Sequence, residues 1–144
     1  MILEVSALTA AAAFTGAAVY VNLVEQPARL GLDDRALLAE WRPSYKRGAV
    51  MQAGLALLGS LLGFASAWHA PHWAWLAGAI ALILAWPYTL IVIRPTNSAL
   101  LATPLEAAGP ASRAGIEKWG RLHLGRVAMG AAGTVFYFCA LACR

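Results

Sequence analysis

The sequence has very little charge for a chain of its length. Only 12% of its 144 residues are charged, whereas soluble domains carry about 25%. It also lacks a P-loop, a dinucleotide-binding fingerprint, a nucleophile elbow and the ligand spacing of a zinc site. These absences exclude the enzyme classes that such motifs mark. What the sequence has in abundance is hydrophobic residues, which make up 60% of the chain.

Cysteine is scarce as well. Cys139 and Cys143 are four residues apart near the C-terminus, so a helix would place both on one face. Because this geometry suits a disulfide poorly, we interpret them as packing residues. A redox pair is the alternative.

Four long apolar stretches dominate the sequence, at about residues 5–24, 48–68, 73–93 and 124–143. Each has the length of about 20 residues that a helix needs to cross a bilayer, where helices satisfy their own backbone groups. The sequence therefore predicts an all-α fold, a four-helix transmembrane bundle that forms one domain over residues 1–144. The first stretch lacks the basic start of a signal peptide, and we expect a retained helix.

The basic residues predict an orientation for this bundle. Ten of the eleven lysines and arginines lie beside the connections between helices 1 and 2 or between helices 3 and 4, and only Arg144 lies at the other end. Because Lys and Arg concentrate on the cytoplasmic side, we expect an integral plasma (inner) membrane protein with both termini outside and both long loops in the cytoplasm. These residues flank apolar runs, so the net charge of +4 does not indicate nucleic acid.

The two halves of the sequence share a pattern. Each runs from a span to a proline, through a loop to a Trp-x3-aromatic motif with an arginine, and into the next span. The residues are Pro27, Trp41, Tyr45 and Arg47 in the first half, and Pro95, Trp119, His123 and Arg126 in the second. The pattern favours two parallel two-helix repeats, related by an axis along the membrane normal. The second loop, residues 99–118, is compatible with a short surface helix.

Polar and ionisable side chains collect at the end of the bundle that carries these two loops, which we call the charged end. Ionisable groups near a bilayer are costly unless paired, so they mark candidate functional sites. We interpret His123 and Glu25 as a proton-handling pair, because an imidazole beside a carboxylate can exchange protons near neutral pH. Ordinary alternatives exist: Arg47 and Arg126 can snorkel, and Glu25 and Arg29 can form a local ion pair.

Two metal-related alternatives are weaker. His69 and His72 are spaced like a ligand pair, but no third ligand lies near them in sequence. His123 could be an axial ligand to haem, although nothing else supports haem. We therefore predict no cofactor, with haem or a metal as the minor alternative.

Five short motifs follow one another along the two halves of the sequence, all near the charged end. They are Val24-Glu25-Gln26-Pro27-Ala28-Arg29, Trp41-x3-Tyr45-x-Arg47, Pro87-Tyr88-Thr89, Arg94-Pro95-Thr96-Asn97 and Trp119-x3-His123-x2-Arg126. With these motifs and four spans, the sequence resembles the DUF1772 or anthrone oxygenase-like family of small membrane proteins. The resemblance covers about residues 16–126.

The resemblance implies an oxygenase that oxidises a lipophilic, anthrone-type aromatic with O2 and without a classical cofactor. Such a reaction needs a base, a site for an oxyanion and an apolar slot for flat rings. We expect His123 to be the base, Arg47 or Arg126 with Asn97 to hold the oxyanion, and aromatic rings to sandwich the substrate. The predicted catalytic residues are His123, Glu25, Arg47 and Arg126, and the predicted substrate-binding residues are Asn97, Tyr45, Tyr88, Trp41, Trp119 and Arg29.

Two other functions stay open at this point. A non-catalytic membrane module would bind a lipophilic ligand or a partner protein in the same place without turnover. A redox protein would carry haem or a metal there. Besides the lipid bilayer and a lipophilic small molecule, the sequence leaves a homo-oligomer open as a partner.

Overall fold

Four long helices make up the fold in a computed structural model that describes residues 1–143. They are α1 (Ile2–Leu30), α2 (Asp34–His69), α3 (Trp73–Ala102) and α4 (Pro110–Ala142), and each is long and apolar enough to span a membrane. Each helix packs against its neighbours in the ring order α1, α2, α3, α4, and α2 also touches α4 across the bundle. No strand occurs among residues 1–143, so the predicted all-α, four-helix bundle is confirmed.

A π-helical turn interrupts both α1 and α3, over Val21–Glu25 and Thr89–Ile93. In each case a proline follows two residues after the turn, Pro27 in α1 and Pro95 in α3. A proline has no N–H for the carbonyl four residues earlier, and its ring crowds that carbonyl. A π turn accommodates this misfit with one extra residue, and both helices continue beyond their prolines, to Leu30 and Ala102.

The helices α2 and α4 begin well before the apolar stretches that the sequence marks as spans. Asp33 caps α2 by accepting hydrogen bonds from two backbone N–H groups, and α4 begins at Pro110. The predicted second loop is therefore mostly helical, with only a 3-10 turn at Leu105–Ala107 between α3 and α4. The early turns are stable because their apolar side chains form a core of their own at the charged end, which includes Leu37, Leu38, Trp41, Leu100, Ile116 and Trp119.

The two halves of the molecule have the same layout. In both, a helix with a π turn and a proline is joined by a short connection to a long helix that carries the Trp-x3-aromatic motif. This layout agrees with the pair of parallel two-helix repeats that the sequence favours. It places the second motif, Trp119 and His123, beside the first, Trp41 and Tyr45, at one end of the bundle.

At the end of the bundle opposite the charged end, the helices pack closely around Tyr137. Its hydroxyl donates to the carbonyl of Gly59 over 2.8 Å, and its ring lies 5.2 Å from that of Trp75. Glycines on the neighbouring helices make room for this ring, because any side chain at Gly63 or Gly78 would overlap it. Small residues at such crossings are typical of helix packing in lipid.

Replacing Gly78 by alanine is expected to lower the free energy of unfolding by about 1–3 kcal/mol, the usual effect of overpacking. The new Cβ would lie 2.4 Å from Cε1 of Tyr137 and 3.1 Å from the carbonyl oxygen of Gly133, so neither side can yield freely. Gly54→Ala is the matched control, because nothing lies within 4 Å of its Cβ position. Thermal unfolding in detergent measures both, and equal effects would contradict the packing described here.

Candidate functional site

A cavity of about 440 Å³ lies at the charged end and is lined by residues from all four helices. Both π turns contribute to it, through Val21 and Glu25 on α1 and through Thr89 and Ile93 on α3. The other lining residues are Ala17, Tyr20, Arg29, Ser44, Tyr45, Arg47, Gly48, Ala49, Met51, Gln52, Asn97, Trp119, His123 and Arg126.

Eight of the ten residues predicted for the site line this one cavity: Glu25, Arg29, Tyr45, Arg47, Asn97, Trp119, His123 and Arg126. The other two, Trp41 and Tyr88, lie outside its lining. Trp41 is fully buried and stacks on Tyr45 with ring centres 4.8 Å apart. The hydroxyl of Tyr88 donates to the carbonyl of Leu122 over 2.7 Å. Neither residue lines the cavity in this structure, and their contact with a substrate stays a prediction.

His123 projects from α4 and is almost completely buried, with 4% of its surface exposed. Its ring stacks on Trp119, one helical turn earlier, with ring centres 5.0 Å apart. This i, i+4 spacing brings two side chains together on one helix face. The stack leaves the two ring nitrogens as the only polar atoms through which His123 can act.

The hydrogen bonds of Asn22 determine which ring nitrogen of neutral His123 carries the proton. The side-chain N–H of Asn22 donates to the carbonyl of Gly120 over 2.7 Å, so its oxygen faces His123, 2.6 Å from Nδ1. An amide oxygen can only accept, and Nδ1 must therefore be the donor. That leaves the lone pair on Nε2, which has no partner among residues 1–143. Asn22 is not among the ten residues predicted for the site, although its polar side chain inside the first span marks it as a candidate.

Arg126 is a buried cation with no acidic partner in the described part of the chain. Only 7% of its surface is exposed. One nitrogen donates to Thr89 Oγ1 over 2.7 Å, and the guanidinium lies 5.5 Å from the ring centre of Phe14. Its other two nitrogens, Nε and Nη2, are buried without hydrogen-bond partners. A charge in this state is costly unless something compensates it.

Glu25 and Arg29 form an ion pair on α1, within a wider network. Glu25 accepts hydrogen bonds from Arg29 and from Ser44 of α2, and Nε of Arg29 lies 3.1 Å from a carboxylate oxygen of Glu40. The expected pairing of Glu25 with His123 is not seen, because His123 bonds to Asn22 and Glu25 is taken up by this network. Glu25 lies at the cavity but is already neutralised by Arg29.

Tyr45 and Asn97 form a second polar contact across the cavity. The side-chain N–H of Asn97 donates to the hydroxyl oxygen of Tyr45 over 3.0 Å, while the amide oxygen of Asn97 is buried without a partner. Gln52, which is not among the ten residues predicted for the site, is also buried at the cavity wall. Its place on the inward face of α2, seven residues after Tyr45, was the available signal.

The charges around the cavity favour an anionic or anion-forming ligand. Its lining contains three arginines, Arg29, Arg47 and Arg126, against one carboxylate, Glu25, a formal balance of +2. Arg29 is paired with the carboxylates of Glu25 and Glu40, but Arg126 has no acidic partner among residues 1–143, so surplus positive charge lies near His123. A negative charge that develops beside Nε2 would therefore be stabilised.

The candidate metal ligands do not form a cluster in the part of the chain that the structure describes. No group of three or more His, Cys, Asp or Glu side chains that could hold a metal occurs within residues 1–143. Nδ1 of His72 accepts a hydrogen bond from the backbone N–H of Ala74 and so caps the start of α3. Cys139 and Cys143 are both free thiols.

Comparison with known proteins gives one match. A family model described as anthrone oxygenase matches residues 41–136, a range that includes Tyr45, Arg47, Asn97, His123 and Arg126. No curated protein and no solved structure matches the chain significantly. Since the matched range covers more than half of a four-helix chain whose motifs meet at one cavity, the chain belongs to the anthrone oxygenase family.

Proposed function

We propose that the protein is a membrane-embedded oxygenase that oxidises a lipophilic, anthrone-type aromatic with O2. The observation that carries the proposal is the free lone pair on Nε2 of His123, a mostly buried side chain at a cavity that is also lined by Arg126, which has no acidic partner within residues 1–143. A base and a cation at one apolar site are what deprotonation of a carbon acid requires.

In the proposed reaction, Nε2 of His123 takes a proton from the methylene group between the two aromatic rings of the anthrone. The electron pair of the broken C–H bond spreads to the carbonyl oxygen, and Arg126 stabilises the negative charge there. The anion then passes one electron to O2, and the resulting radical and superoxide join through a new C–O bond. Loss of water from this peroxide gives the quinone.

The wall of the cavity suits a flat, apolar ligand. The rings of Trp119 and Tyr45 offer aromatic surfaces, and Val21 and Ile93 offer aliphatic ones. Aromatic rings stack favourably in offset or edge-to-face arrangements. The volume of about 440 Å³ falls within the range of pockets that hold small organic ligands.

We further propose that the charged end faces the cytoplasm and that substrate enters from the bilayer between α1 and α2. Tyr20 of α1 and Met51 of α2 both line the cavity and are 56% and 52% exposed. Their exposure favours an opening of the cavity on the outer surface of the bundle between these two helices. A lipophilic ligand already partitioned into the membrane would need no passage through water to reach His123.

Oxygen uptake by the purified protein in lipid nanodiscs tests this function. With 1,8-dihydroxyanthrone, we expect uptake above the spontaneous rate and one quinone formed per O2 consumed. Binding of the anthrone without any increase in rate would overturn the oxygenase proposal in favour of a lipophile-binding module. A stoichiometric metal or a haem absorbance band in the active protein would instead support a redox protein.

A further inference from the structure

Tyr45 and His123 occupy equivalent positions in the two halves of the molecule. Each is the aromatic ring four residues after a tryptophan, and each stacks on that tryptophan. Tyr45 lies 4.8 Å from Trp41 with an interplanar angle of 3°, and His123 lies 5.0 Å from Trp119 with an angle of 29°. The two tryptophans meet edge to face, with ring centres 5.8 Å apart. The result is a four-ring row whose two outer members both line the cavity.

The polar atom of each outer ring is bound by an asparagine from the other half, but the two hydrogen bonds run in opposite directions. Nδ1 of His123 donates to Asn22, which leaves the ring a lone pair on Nε2. The oxygen of Tyr45 accepts from Asn97, which leaves the hydroxyl hydrogen without an acceptor among residues 1–143. His123 therefore has a free lone pair that can accept a proton, and Tyr45 has a free hydroxyl hydrogen that it can donate.

From this arrangement we infer that Tyr45 is the acid of the site and protonates the oxygen atoms that O2 contributes, opposite His123 as the base. The inference rests on the proposed function, because it assigns a second role in the same reaction. It goes beyond substrate binding, since the hydroxyl would touch the reacting peroxide rather than only the ring system.

The proton balance of the reaction needs such an acid twice. When the C–O bond forms, the outer oxygen carries a negative charge, and Tyr45 gives it a proton to form the hydroperoxide. His123, protonated by the first C–H cleavage, returns its proton to the phenolate and becomes a base again. It then removes the second C–H proton while the O–O bond breaks, the C=O bond forms and Tyr45 protonates the departing hydroxide. A last transfer from His123 to the phenolate completes one quinone and one water per O2.

Without this acid, the peroxide anion is not trapped. Its C–O bond can reopen to the radical and superoxide, both of which can leave the site. Escaped superoxide disproportionates with protons to H2O2 and O2, and two substrate radicals couple through a C–C bond. The acid therefore decides the products, whereas the base decides the rate of deprotonation.

The Tyr45→Phe variant tests the inference by product analysis. We expect quinone formation to fall by about 100-fold, the lower range for a positioned acid, while O2 is still consumed and H2O2 and coupled substrate appear. Asn97→Asp is expected to act alike, because a carboxylate would accept the tyrosine proton instead of donating to its oxygen. The role of Tyr45 would be overturned if Tyr45→Phe formed quinone and H2O2 in the same ratio as the wild type.

Tyr137→Phe is the matched control. Its hydroxyl also makes one buried hydrogen bond, to Gly59, but lies outside the lining of the cavity. We expect this variant to keep the wild-type ratio of quinone to H2O2 even if its stability falls. After the spontaneous, protein-free oxidation has been subtracted, the ratio is independent of the amount of folded protein. No anthrone-dependent O2 uptake by the wild type would overturn the proposed function itself, which is a different outcome from a changed ratio in Tyr45→Phe.

Discussion

His123→Ala is expected to lower kcat for anthrone oxidation by about 100- to 10,000-fold, the range that a positioned general base contributes. The variant loses the Nε2 lone pair at the cavity while leaving α4 intact, since alanine is the best helix former. Steady-state O2 uptake in nanodiscs measures the loss. Added imidazole should restore part of the rate, because the deleted ring leaves a space of its own size beside Trp119.

His69→Ala is the control for this variant, because His69 is exposed at the end of α2, outside the cavity. Its rate should equal that of the wild type. Asn22→Leu serves as a companion, since it removes the acceptor that holds the proton on Nδ1. We expect it to lower the rate less than His123→Ala and to make both ring tautomers visible by 15N NMR. A wild-type rate in His123→Ala would refute the assignment of the base.

Arg126→Met is expected to change activity and stability in opposite directions. Loss of the cation should lower kcat by about 100- to 1,000-fold, the usual effect of removing one oxyanion donor. The same change should raise the free energy of unfolding by about 1–3 kcal/mol, because a buried group with unsatisfied donors is replaced by an apolar chain of similar length. A residue kept for packing alone would not show this combination.

Arg121→Met provides the comparison on the same helix. Arg121 is exposed and lies outside the cavity lining, so the substitution should leave both O2 uptake and thermal unfolding close to the wild type. Paired measurements on the two variants in the same detergent separate a general effect of losing an arginine from the local one. If Arg126→Met unfolds at a lower temperature than the wild type, the description of Arg126 as an uncompensated charge is wrong.

The length of the apolar runs was enough to predict four spans, because a bilayer imposes one minimum length on every helix. It was not enough to predict the helix ends. Leu37, Leu38 and Ile116 stand among charged residues, and only their packing against one another at the charged end shows that α2 and α4 begin early. Hydropathy averaged along a chain does not detect a core formed by a few well-spaced residues.

The sequence was enough to predict at which end of the bundle the site lies, but not in which direction each side chain points. Residue type and position along the span brought eight of the ten predicted residues to one cavity. Whether Trp41 faces the cavity or lies behind Tyr45 depends on the rotation of α2 about its axis, which the sequence pattern does not show. The Asn22 contact depends in the same way on how α1 continues through its π turn.

The crossed asparagine contacts have a consequence for how such a site can arise. In a dimer of identical two-helix chains, the ring after the tryptophan would be the same residue in both subunits, and so would the asparagine that faces it. A base could then meet only a second base. With both copies encoded in one polypeptide, the two positions can hold different residues, and here they hold Tyr45 and His123. Continuity of the chain through Ala70–His72 is what permits this asymmetry.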